Sequence, residues 1–281
     1  MKTAWMFPGQ GSQKPGMGSG LFELFPELTR EADAILRYSI QDLCLHDPAQ
    51  KLGQTQFTQP ALFTVNALSF YQARQIQGKS PDCLIGHSLG EYNALLAAGV
   101  FDFATGLKLV QRRGELMSQA TGGGMAAVVG LDQDRVKVLL QDHGLTTIDL
   151  ANLNAPTQIV ISGPQADITR AQTIFETSGA SMFVPLKVSG AFHSRYMQPS
   201  REQFREFLAG FTFAAPSLPV ISNVEALPYN EDRTAELLAN QLTHSVRWVE
   251  SIRHLIELGV NEFVEMGPGK VLTGLVRKIK L

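Results

Sequence analysis

The chain has 281 residues, 44% hydrophobic and 18% charged, enough to bury a substantial core in one large domain or one domain carrying an insertion. Its 24 Lys and Arg against 26 Asp and Glu leave a net charge of −2 without a run of like charge, which argues against nucleic acid or anionic lipid and for a small or protein-borne substrate. Cys44 and Cys83 lie far apart without metal-type spacing, so neither a disulfide framework nor a zinc site is indicated, and a reducing cytoplasm is expected.

The apolar start, Thr3 to Phe7, reads as a buried strand, because Pro8-Gly9-Gln10-Gly11 stops it before a signal-peptide core forms. Helices are expected from about Gly18 to Leu36 and Pro60 to Gln77, then a strand over Cys83–Gly86 running into Ser88. A small-residue helix, Gly90 to Ala98, and an amphipathic one, Phe103 to Ala120, follow. Gly122-Gly123-Gly124 marks a boundary. Beyond it the pattern becomes strand 125–129, helix 132–143, strands 148–152 and 158–162, helix 166–179 and strand 182–188, the βαββαβ order of a ferredoxin-like unit. Helices near 195–209, 232–242 and 247–258, with strands 219–222 and 262–266, resume the first style. The alternation predicts an α/β fold with a largely parallel sheet: a large domain from 1–123 and 189–281, and a small one, 124–188, inserted in it. No apolar stretch approaches the roughly 20 residues of a membrane helix.

Gly86-His87-Ser88-Leu89-Gly90 matches G-x-S-x-G between an apolar strand and a helix, the setting of a nucleophile elbow. The string alone is weak, since chance supplies it in roughly one chain in eight. In that setting the sharp turn lifts the Ser88 hydroxyl clear of the sheet, and the Leu89 N–H begins an oxyanion hole. The alternative is a Gly-rich strand-to-helix turn whose serine merely caps the helix.

A serine nucleophile needs a base, and there are six histidines. His46, His143 and His254 read as surface or capping residues. His87 points away from the hydroxyl in a tight elbow and is expected as a wall of the site. His193, in Ser189-Gly190-Ala191-Phe192-His193-Ser194 at the return to the large domain, is the favoured base, with His244 as runner-up. No acidic residue stands out to orient the imidazole, so either a carboxylate hidden in ordinary sequence or a backbone carbonyl does so.

Phe7-Pro8-Gly9-Gln10-Gly11-Ser12-Gln13, Gly86 to Tyr92, Gln111-Arg112-Arg113-Gly114, Asn152-Leu153-Asn154-Ala155-Pro156, Ala191-Phe192-His193-Ser194 and Gly267-Pro268-Gly269-Lys270-Val271-Leu272 occur together in this order. With them the chain resembles the malonyl-CoA:acyl carrier protein transacylases and the acyltransferase domains of polyketide synthases over nearly its whole length. The resemblance implies an α/β-hydrolase-like large domain with a ferredoxin-like small one. It implies Ser88 as nucleophile, His193 as base and acid, Gln241 orienting His193 through its main-chain carbonyl, and the N–H groups of Gln10 and Leu89 as the oxyanion hole. Arg113 would hold the malonyl carboxylate, Phe192 would crowd the α-carbon of branched substrates, and His87, Gln59 and Asn154 would complete the substrate pocket. Malonyl-CoA and acyl carrier protein domains are the implied partners, and no metal or prosthetic group is called for.

Helical phase supports Arg113: it lies four after Leu109 and three before Leu116, which puts it on the apolar face and leaves Arg112 outside. An arginine there needs an anion, which a substrate carboxylate supplies through two parallel hydrogen bonds. Gly190 and His244-Ser245 depart from motifs usual in integrated synthase domains. The Gly-Ala-Phe-His-Ser form, the stretch Gln54 to Pro60 and the lack of a long C-terminal extension point instead to a free-standing acyltransferase serving polyketide synthases in trans. The alternatives are the housekeeping transacylase of fatty-acid synthesis and an editing acyl hydrolase.

Overall fold

The computed structural model describes residues 2–76 and 78–280, the side chains of Ile76 and Glu231 aside. Strand β1 (Lys2–Phe7) is followed by helices α1 (Leu21–Leu24), α2 (Pro26–Leu36), α3 (Ile40–Leu45) and α4 (Thr55–Tyr71), the last ending in a π turn, Gln72–Ile76. Strand β2 (Cys83–Gly86) leads through the Ser88 turn into α5 (Gly90–Ala97) and then α6 (Phe103–Ser118). Next come β3 (Gly123–Val129), α7 (Gln133–Asp142), β4 (Asp149–Ala155), β5 (Gln158–Pro164), α8 (Gln165–Thr177) and β6 (Met182–Pro185). The chain closes with α9 (Gln198–Leu208), β7 (Val220–Ile221), α10 (Thr234–Asn240), α11 (Trp248–Glu257), β8 (Val260–Glu265) and α12 (Val271–Lys280).

The first sheet has the order β7-β2-β1-β8, with every pairing parallel. Strands buried on both faces carry unbroken apolar runs, and Ala4-Trp5-Met6-Phe7 and Cys83-Leu84-Ile85 are such runs. Trp5, Phe7 and Leu84 face a core shared with α4, α5 and α6. Ala4, Met6, Cys83 and Ile85 face the opposite one, under α11 and α12. The second sheet has the order β4-β5-β3-β6, all antiparallel, the ferredoxin-like arrangement that the βαββαβ pattern implies. Ala126, Val128, Ile159 and Ile161 pack beneath α7 and α8, while Met125, Ala151 and Val160 join the core of the larger unit.

Several boundaries move for identifiable reasons. The helix expected over 18–36 breaks at Phe25, and Pro26 opens α2, where its missing N–H costs nothing. Helix α4 begins before Pro60 rather than at it: burial of nearly every residue from Thr58 to Leu68 outweighs the one backbone bond a proline removes. That extra turn carries Gln59 toward α6. The helix expected from 195 opens instead as a 3-10 turn, Arg195–Met197, before α9. Strand β6 stops at Pro185, so Leu186 and Val188 turn toward the elbow. Helices α3 and α12 have no counterpart in the sequence reading. Among the described residues no helix is long and apolar enough to cross a membrane.

Candidate active site

Ser88 stands between β2 and α5 with φ = 50°, a left-handed conformation that costs a non-glycine residue roughly 1–2 kcal/mol. The elbow is held by backbone packed against backbone. The His87 N–H donates to Phe7 O at 3.0 Å. A Cβ on Gly90 would lie 1.9 Å from Phe7 O, and one on Gly9 would lie 2.3 Å from His87 O. This contact draws the Gly9-Gln10 turn over the elbow, so Gln10 and Leu89 line one pocket with Ser88. Among the described residues neither of their main-chain N–H groups has a protein acceptor.

The Ser88 hydroxyl lies 2.8 Å from His193 Nε2. On the far side of the ring, Nδ1 donates to the main-chain carbonyl of Gln241 at 2.8 Å, which fixes the tautomer with Nε2 as the free acceptor. Of the two ways of orienting the imidazole, the carbonyl is the one present. His193 is buried, and its pKa is pushed down to about 3, by burial first and then by the neighbouring Arg113 charge.

Arg113, on α6, is 1% exposed, whereas Arg112 reaches the surface and pairs with Glu115. The Arg113 Nη1 donates to Gln59 Oε1 at 2.6 Å, and Nη2 to Gln241 Oε1 at 2.9 Å and to Ser88 Oγ at 3.0 Å. Its charge also lies over the Tyr92 ring, 5.5 Å from the centroid. None of its hydrogen-bond partners is an anion. A buried guanidinium with only neutral partners is an anion receptor, and this one faces the hydroxyl.

Phe192 and His87 line the pocket beside Met117, Met125 and Val188. Gln59 and Asn154 stand one layer back: Gln59 holds Arg113, and Asn154 Oδ1 lies 2.7 Å from His87 Nε2. His244 makes no hydrogen bond to the hydroxyl; its Nδ1 donates to Asn240 O and closes the end of α10. His46 pairs with Asp42 on the surface and His143 ends α7, but His254 is half-buried in α11, its Nε2 without a partner among the described residues, rather than a surface residue.

The chain matches the acyl transferase domain family over residues 4–279. It belongs to that family. This acyltransferase is 56% identical over 277 residues to the polyketide biosynthesis malonyl CoA-acyl carrier protein transacylase PksC of Bacillus subtilis, covering 98% of this chain and 96% of that one. A second malonyl CoA-acyl carrier protein transacylase of the same strain is 42% identical over 288 residues, covering 99% and 90%. A crystal structure of the malonyl CoA-acyl carrier protein transacylase from Burkholderia pseudomallei superimposes with a TM-score of 0.97 at 52% identity, covering 100% of this chain and 98% of that one.

Two parts of the acyltransferase site escaped the sequence reading. Asn223, after β7, accepts the Ser88 N–H on Oδ1 at 2.7 Å and donates from Nδ2 to Gly86 O at 2.7 Å, bracing the elbow from both sides. Glu91, inside the motif that carries Ser88, is fully buried and bonded to Asn223, Tyr229 and Gln241. Nothing local in Ser222-Asn223-Val224 marks the asparagine; an acid among the small and apolar residues so soon after Ser88 was the available signal for Glu91.

Proposed function

We propose that this acyltransferase moves a malonyl group from malonyl-CoA to the phosphopantetheine thiol of an acyl carrier protein by way of a malonyl-Ser88 ester. One observation carries the choice of acyl group: a cationic donor, Arg113 Nη2, lies 3.0 Å from the nucleophilic oxygen. Malonyl is three carbons long, so a clamp on its free carboxylate must sit within a few ångströms of the serine. A longer acyl chain would leave this buried guanidinium with no anion in direct contact.

In the first half-reaction His193 Nε2 takes the Ser88 proton as Oγ attacks the thioester carbonyl. The N–H groups of Gln10 and Leu89 receive the oxyanion. Collapse breaks the carbon–sulfur bond, and the imidazolium returns its proton to the departing coenzyme A sulfur. In the second half-reaction the pantetheine thiol gives its proton to His193 and attacks the ester, and Ser88 leaves with that proton. Arg113 holds the carboxylate throughout, which keeps the ester carbonyl aimed at the incoming thiol. The bare Leu89 and Gln10 amides, the fixed tautomer of His193 and the transacylase activity of the relatives all support this reading.

Higher identity to PksC than to the second transacylase of the same organism favours a carrier from a polyketide synthase. The test is transfer from radiolabelled malonyl-CoA. Wild type should form a covalent adduct that passes to holo-carrier, and Ser88→Ala should form none. A labelled Ser88→Ala protein, or release of free malonate without carrier loading, would sink the proposal. Supplying polyketide and fatty-acid carriers in competition decides between the two pathways.

A further inference from the structure

Glu91 is the only fully buried acidic side chain among the described residues, and it stands three positions after Ser88 on α5. Its Oε1 accepts the Asn223 N–H at 3.0 Å and the Tyr229 hydroxyl at 2.7 Å, and Oε2 accepts from Gln241 Nε2. Each of the three neighbours donates to it, the environment that best suits a carboxylate. Burial pushes this carboxyl up to about 7, while the Tyr229, Asn223 and Gln241 bonds and the Arg113 charge pull it down, so it is ionised in mildly basic solution.

Gln241 has three polar groups at work at once. Its Nε2 faces Glu91 and Ser88 O, the latter at 2.9 Å; its Oε1 faces Arg113; its main-chain carbonyl holds His193. A primary amide can be turned either way round. Turned the other way, Oε1 would meet the carboxylate and Nε2 the guanidinium, acceptor against acceptor and donor against donor. The Ser88 carbonyl, the Arg113 guanidinium and the Glu91 carboxylate all require the observed choice, and of the three only Glu91 is a side chain that can be exchanged without touching the proposed reaction centre.

We propose that Glu91 is a positioning residue whose carboxylate sets Gln241 so that this one residue aims Arg113 at the acyl carboxylate and His193 at Ser88. Selection of a dicarboxylic acyl group and activation of the nucleophile then share a single support. Glu91 itself touches neither substrate nor hydroxyl. The proposal rests on the malonyl-transfer reading.

The experiment compares wild type, Glu91→Gln, Gln241→Met and the double variant at pH 8, measuring kcat and KM for malonyl-CoA and acetyl-CoA beside thermal melting. Glu91→Gln should lower kcat with malonyl-CoA about 10- to 100-fold, with a tenfold or greater fall in the malonyl-to-acetyl kcat/KM ratio, because a donor enters a nest of donors and Gln241 releases Arg113. Gln241→Met keeps the main-chain carbonyl and should lose the ratio to a similar extent. The double variant should be no worse than its poorer parent, the non-additivity of residues acting through one another. A Glu91→Gln enzyme with an unchanged ratio, or multiplicative losses in the double variant, overturns the proposal. Should Glu91→Gln fail to fold, Gln241→Met decides alone, a preserved ratio counting against. A wild type that never loads malonyl defeats the transfer reading instead, and is seen separately.

Discussion

In the proposed mechanism Arg113 sits where two demands meet, since it waits for the acyl carboxylate and must not disturb His193 beside it. Arg113→Ala should lower kcat/KM for malonyl-CoA by about 10³, the scale of a lost buried charge-assisted pair, and should raise relative activity toward acetyl-CoA. Unchanged selectivity in a competition assay removes the clamp. The same charge contributes to the low pKa of His193. The proposed mechanism needs the neutral imidazole, so the acid limb of kcat/KM should fall well below the ordinary histidine value of about 6.5. Arg113→Ala removes a cation and should move that limb upward, though burial, the larger cause, keeps it depressed. Stability follows the same sign. A group with its folded pKa below its unfolded one gives its full contribution above about 6.5 and loses it as pH falls toward the folded value. His193→Gln should therefore flatten the decline in urea-unfolding stability between pH 7 and pH 5.

At the scale of elements, the elbow depends on how close α5 comes to β1. Gly90→Ala would drive a methyl to 1.9 Å from Phe7 O, a backbone atom that cannot step aside. It should destabilise the fold by several kcal/mol or prevent folding, read as a lower melting temperature or insoluble protein. Gly274, inside α12, is the internal control: nothing lies within 4 Å of its would-be Cβ, and Gly274→Ala should stabilise by about 0.5–1 kcal/mol. The elements also show what periodicity misses. Helix α4 ran through Pro60 because contacts across α4 and α6 held it, and those contacts place Gln59 against Arg113. A proline is visible in the sequence, whereas the neighbour that outweighs it is not. Helix α12 shows apolar spacing at Leu272, Leu275, Val276 and Ile279, yet its buried face exists only once the first sheet does.

At the scale of the molecule, the two sheets are stitched together beside the pocket. Leu153 N–H donates to Val246 O and Val246 N–H to Ala151 O, joining β4 to the chain before α11, and Asn154 of the same strand meets His87 next to Ser88. The pocket wall from the second sheet is therefore tied to the turn that carries Ser88. Asn154→Ala should free His87 and lower kcat/KM for malonyl-CoA about tenfold, the value of one lost buried hydrogen bond, while labelling of Ser88 by a small serine reagent changes less. Equal losses in both assays would place the effect in the elbow rather than in the wall.

What the sequence by itself determined is what short-range chemistry encodes. The apolar run into Gly86-His87-Ser88 prescribes a strand entering a tight turn, the βαββαβ pattern prescribes the second sheet, and the phase of Arg113 between Leu109 and Leu116 prescribes its burial. Ser88 and His193, 105 positions apart, were singled out locally and lie 2.8 Å apart. The carbonyl that holds the imidazole was decided only in three dimensions, because every residue has one and no side chain advertises which is used. Asn223, Tyr229 and Gln241 converge on Glu91 from separate stretches of the chain, 132, 138 and 150 residues away. Their donor groups acquire meaning only from the buried carboxylate that burial in this fold obliges them to satisfy.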